Sequence, residues 1–124
     1  MAHHVIKLEK YYLEWSTVLD APITIGTTLA RFKTYYRRKY GSEGIKYLQE
    51  RMYRLEEKSI ASSYYNYADD LIKCNRAGPD ETCLKVGELI KVYCKLESFN
   101  GFSVTTVGNS IIIDWGKAST EISN

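Results

Sequence analysis

The chain has 124 residues, of which 17 are Lys or Arg and 15 are Asp or Glu, for a formal net charge of +2. Its 44% hydrophobic and 26% charged residues are the proportions of an ordinary globular domain, which excludes compositional disorder, a fibrous repeat and a disulfide-dense mini-protein. The length suits one domain over residues 1–124 with its own core and a polar tail from about 117.

From the N-terminus, Val5, Leu8, Tyr12, Trp15 and Leu19 recur at the spacing of an amphipathic helix over residues 5–19. His3 and His4 carry no functional weight in this reading. Pro22 and Gly26 break the pattern, and residues 23–28 read as a loop or an extended lead-in. Thr27 or Thr28 can cap a second helix, whose seam is Leu29, Phe32, Tyr36 and Tyr40. That helix has a stop signal in Arg37, Arg38 and Lys39 followed by Gly41. Ser42 starts a third helix with the seam Ile45, Leu48, Met52 and Leu55, and helical spacing resumes from Tyr64 to Cys74.

Gly78-Pro79 marks a turn, and Asp80 is placed to cap a further helix reaching Leu96. Gly87 inside that helix suggests close packing against a neighbour. Beyond it the period changes. Two β-branched runs, Phe102 to Val107 and Ser110 to Trp115, flank Gly108-Asn109 and predict a hairpin. The expected fold is therefore α+β and mainly helical, with four to five helices and a C-terminal antiparallel β-hairpin.

The chemistry-bearing patterns are sparse. Cys74, Cys83 and Cys94 contain no C-x-x-C pair, so no zinc site is expected; small buried thiols in a reducing compartment are the favoured reading, with a Cys74–Cys83 bridge across the turn as the alternative. The only two His are adjacent near the start, which leaves Cys-His and Ser-His catalysis without an orienting imidazole. No phosphate-cradling Gly-rich motif occurs. Tyr67-Ala68-Asp69-Asp70 matches the Y-x-D-D pattern of polymerase palms, but a helical setting would splay adjacent Asp side chains by about 100°. No catalytic residue, cofactor or metal is expected. No run approaches the roughly 20 apolar residues of a membrane span, and a cytoplasmic location is the expectation.

Charge is concentrated in one place. Residues 31–54 hold eight cations against Glu43 and Glu50, a net of +6, which leaves −4 for the other residues. Within 31–40 there is no acid, and Phe32, Tyr35, Tyr36 and Tyr40 are interleaved with the cations. Cations that release counterions and rings that stack on unpaired bases are the equipment of a nucleic-acid binder. The candidate nucleic-acid contacts are Arg31, Lys33, Arg37, Arg38, Lys39, Arg51 and Arg54 for phosphates, with Tyr35 and Tyr47 for stacking.

The partner expected is DNA or RNA bound with low sequence specificity. The alternative is an acidic protein surface engaged by a small interaction module of the phage, virus or plasmid accessory type, with room for a homo-oligomer. Eleven tyrosines, ten of them before residue 70, suit such an interface. A helix over 80–97 followed by a hairpin also has the order of a winged helix-turn-helix, although its exposed face mixes Lys85, Lys91 and Lys95 with Glu88 and Glu97.

Overall fold

Strand β1 (His3–Leu8) and strand β2 (Tyr11–Ser16) form an antiparallel hairpin in which Ile6 opposes Leu13 and Val5 opposes Glu14. The expected helix over 5–19 is replaced by this hairpin, for a physical reason. Facing pairs share a face of the sheet, so Ile6, Leu8, Leu13 and Trp15 point one way while Val5, Tyr12 and Glu14 point the other. Both faces are covered, and such a strand pair reads as a nearly continuous apolar run rather than an alternation. The turn at Glu9-Lys10 contains no glycine, and Glu9 itself takes the left-handed conformation at φ 55°. His3 and His4 belong to β1, and His4 is buried.

The computed structural model describes residues 3–58, 68–97, 102–108, 110–116 and 119–123, and side chains within 51–70 lie outside the described set. A two-residue strand β3 (Ala21–Pro22) completes the first sheet in the order β1-β2-β3. The long helix α1 (Leu29–Lys58) lies against the Val5–Tyr12 face and contributes Phe32, Tyr36 and Leu48 to a small core there. Gly41 breaks its backbone at φ 74°, where glycine alone is unstrained, so the expected stop is a kink between two helical stretches.

Short elements follow. Helix α2 (Ala68–Lys73) contains both Asp69 and Asp70, so they sit on a helix and not on a polymerase-type hairpin; Tyr64, Tyr65 and Tyr67 lie outside the described residues. The turn after it is pinned by Asn75, which is buried. Its amide donates to the Leu84 carbonyl at 2.7 Å, and its oxygen accepts the Leu84 N–H at 2.8 Å.

The helix expected from Asp80 to Leu96 is a chain of smaller pieces. Pro79–Glu81 is a single 3-10 turn with Asp80 and Glu81 at positive φ. Helix α3 (Val86–Leu89) passes directly into a π-helical turn, Ile90–Cys94. The wider turn lets the consecutive residues Val92, Tyr93 and Cys94 all be buried, which a regular α-helix on a surface does not allow. Among the described residues no neighbouring side chain or packed element comes within 4 Å of where a Gly87 Cβ would stand, so it marks no close packing. The close approach is at Gly26 instead: its N–H donates to the Tyr93 carbonyl at 2.8 Å, and a Cβ there would meet the Cys94 sulfur.

The predicted C-terminal hairpin is present as strands β4 (Ser103–Val107) and β5 (Ser110–Asp114). The expected polar tail adds a third strand, β6 (Ser119–Ser123), which pairs with β5 and buries Ile122. The main core lies between this second sheet and the Ile6–Trp15 face of the first, and it includes Leu89, Val92, Tyr93, Ile111 and Ile113. Each large side chain buried there contributes about 1.5–3 kcal/mol.

The architecture is therefore two three-stranded antiparallel sheets, one at each end of the chain, with α1 as the long helix among three α-helices in the described residues. It is not mainly helical with four to five helices. The winged-helix order loses its support, because among the described residues no single regular helix spans 80–97 before the C-terminal strands.

Candidate functional site

The N-terminal half of α1 is amphipathic, and its two sides handle charge differently. Thr28 opens the helix: its carbonyl accepts the Phe32 N–H at 2.9 Å and its hydroxyl accepts the Arg31 N–H at 3.4 Å. Phe32 and Tyr36 then bury themselves against β1 and β2, with Tyr12 and Phe32 ring centres 6.4 Å apart. That docking fixes where every other residue of the stretch points.

On one flank the helix meets Glu14, whose side chain is 0% exposed. Three donors from α1 converge on this carboxylate. Tyr35 donates its hydroxyl at 2.6 Å and Lys39 its ammonium at 3.0 Å, both to Oε1, and Tyr40 donates to Oε2 at 2.5 Å. The Lys39 ammonium also lies over the Tyr35 and Tyr40 rings, and His3 Nδ1 stands 3.9 Å from Oε2.

Burial by itself pushes the Glu14 carboxyl upward. The hydrogen bonds from Tyr35, Tyr40 and Lys39, with the Lys39 charge, outweigh it and hold the group below its usual value of 4.5. Tyr35 is driven upward, by burial first and then by its bond to Glu14, so it stays a neutral donor. The cluster is a closed, compensated ion site inside the fold, and no solvent reaches the carboxylate.

On the other flank the helix borders an open groove of about 390 Å³. Arg31, Thr34, Tyr35 and Arg38 line it from α1, and Thr106 and Ile111 from the second sheet. Residues 31 and 38 are seven apart, about 10 Å along the axis and nearly in line, so both line the groove from the same face of the helix. Among the described residues that line it there is no Asp or Glu. Leu96, which also lines it, holds a left-handed backbone at φ 55°, a strained conformation for leucine.

The predicted contact residues separate accordingly. Arg31, Lys33, Arg37 and Arg38 are exposed, and among the described residues none of them pairs with a carboxylate. Lys39 is 38% exposed but occupied by Glu14. Tyr35 is half-buried with its hydroxyl committed to the same carboxylate, so it is less available as a stacking platform than the sequence suggests. Tyr47 lies beyond the kink and is 60% exposed. Arg51 and Arg54 belong to α1, and their side chains fall outside the described residues.

Glu14 and the groove wall from the second sheet have no signal in the sequence, because their partners are 21 residues or more away along the chain. All three cysteines are free, with Cys74 and Cys83 exposed and Cys94 buried; burial pushes the Cys94 thiol up to about 12. Among the described residues no three His, Cys, Asp or Glu side chains gather as a metal-ligand group, and no helix is long and apolar enough to cross a membrane. No protein-family model, curated protein or solved structure matches the chain.

Proposed function

We propose that this protein binds nucleic acid, without catalysis, through the basic N-terminal half of α1. One observation carries the reading: Arg31, Lys33, Arg37 and Arg38 stand exposed, without a carboxylate partner among the described residues, on the N-terminal half of a helix that has no acid in its first turn. A helix N-terminus already bears partial positive charge and favours anions. Arg31 in that first turn works against helix stability, and a bound anion removes that conflict. Phosphate contacts of this kind position a nucleic acid without reading its bases, so binding is of low sequence specificity. The buried, fully compensated state of Glu14 supports a structural role for that carboxylate.

The test is fluorescence anisotropy with labelled DNA and RNA across a salt series. Wild-type protein is expected to bind at low salt with an affinity that falls steeply as salt rises. The double variant Arg37→Glu with Arg38→Glu is expected to lose most of that affinity; equal binding by the variant rejects the reading.

A second reading, a protein-interaction module, is favoured by strand β4. It is an edge strand with the uncharged sequence SVTTV, and Val107 is 55% exposed. A partner or homo-oligomer held there would survive high salt, which separates it from the first reading.

A further inference from the structure

The groove beside α1 differs in shape and lining from the open basic face around it. We propose that it is a site for one unpaired nucleotide of a single-stranded nucleic acid, with the phosphate between Arg31 and Arg38 and the sugar and base against the apolar wall. The proposal rests on the nucleic-acid reading and adds to it the strandedness of the ligand and the place where it is recognised.

Three observations point the same way. The first is size. At about 390 Å³ the groove falls in the lower part of the range of roughly 300–1,000 Å³ typical of small-ligand pockets, room for one nucleotide unit. The second is the division of the lining. Arg31 and Arg38 supply charge along one edge, Thr34 and Thr106 supply hydroxyls, and the half-buried Ile25 and Leu96 supply an aliphatic surface. A phosphate with an attached sugar and base has the same three parts, whereas a free inorganic anion would leave the aliphatic wall unused.

The third is concavity. A duplex keeps its bases stacked and paired inside a convex ridge of phosphates, so it can touch Arg37 and Lys33 on the open face but cannot fill a recess of this size. An unpaired nucleotide can turn its base in. Tyr35 joins the two halves of the site: Glu14 holds its hydroxyl from below while its ring forms part of the groove.

The test compares short oligothymidylate and oligouridylate with the duplexes each forms with its complementary strand, by anisotropy at low salt. The full-length wild-type protein is set beside Thr106→Trp, which fills the groove from an exposed strand position, and Thr34→Glu, which puts a carboxylate between the two arginines from an exposed helix position. The expected result is that wild type binds at least one single strand about tenfold more tightly than its duplex, a preference the size of one stacked or buried base. Each variant is expected to bring single-strand affinity down to the duplex level; circular dichroism confirms the fold. Because the two substitutions lie on different elements, loss of folding in one leaves the other as the test. Equal binding of single strand and duplex by wild type, or an unchanged preference in a folded variant, overturns the proposal and leaves the broader reading standing. Failure of wild type to bind any of the probes overturns both.

Discussion

Glu14 with its three donors and the Arg31–Arg38 groove lie on adjacent flanks of one stretch of α1, and both are built from charge. In the first, every charge and hydroxyl has a partner supplied by the chain itself, and the carboxylate is sealed from water. In the second, two arginines line an open recess with no acid among its described residues. Of the five cations in residues 31–39, the fold has used Lys39 and left the others facing outward. Lys39 tells little about a ligand because its interaction is already complete; Arg31 and Arg38 tell more because theirs is not.

The sharpest way to break this contrast is to remove Glu14. Glu14→Ala leaves two tyrosine hydroxyls and an ammonium without their acceptor and is expected to lower stability by about 3 kcal/mol, the lower end for a broken buried pair because Lys39 can turn to water. Urea denaturation measures it, and a loss under about 1 kcal/mol would show that the cluster does not hold α1 to the sheet.

Next in size is the opposite pattern. Arg31→Glu with Arg38→Glu is expected to weaken oligonucleotide binding by about tenfold or more, and to flatten the dependence of log affinity on log salt by roughly 1.4 for two lost single-strand phosphate contacts. Stability should change by less than about 1 kcal/mol, since an acid at 31 suits the first turn of the helix while an acid at 38, near the Gly41 break, does not. Binding anisotropy and thermal unfolding on the same samples check both halves.

A smaller effect distinguishes the charge of Glu14 from its shape. Because its carboxyl is held below 4.5, its ionised form contributes stability that is fully present above that pH and is lost as pH falls through the lower folded-state value. Glu14→Gln lacks this titration. The stability gap between wild type and Glu14→Gln should therefore be widest above about pH 4.5 and narrow toward acid, by denaturant unfolding across pH. A constant gap would mean that the group acts by packing alone. Smallest is Gly41→Ala, which places a side chain at φ 74° and should destabilise by about 1 kcal/mol through backbone strain, because no atom lies within 4 Å of the new methyl.

What was legible in the sequence was local. Phe32 and Tyr36 at helical spacing gave α1, and the β-branched runs around Gly108 gave β4 and β5, because each element carries its own periodicity and turn residue. The first hairpin was hidden because Val5 and Ile6 are buried on opposite faces and its turn at Glu9-Lys10 uses no glycine. The segment 80–97 carried a helical pattern, but left-handed Asp80 and Glu81 and the π-turn at Ile90–Cys94 divide it, where burying Val92, Tyr93 and Cys94 together outweighed regular helix geometry.

The sequence by itself determined that the excess positive charge lies in residues 31–54 and that residues 31–40 carry no acid. Only the tertiary structure decided which of those cations remain open. Glu14 comes from the first sheet to take Lys39, and Thr106 and Ile111 come from the second sheet to turn the remaining helix flank into a groove. Both partners are distant in the chain, and neither periodicity nor charge patterning carries information about contacts that form only when the two sheets close around one core.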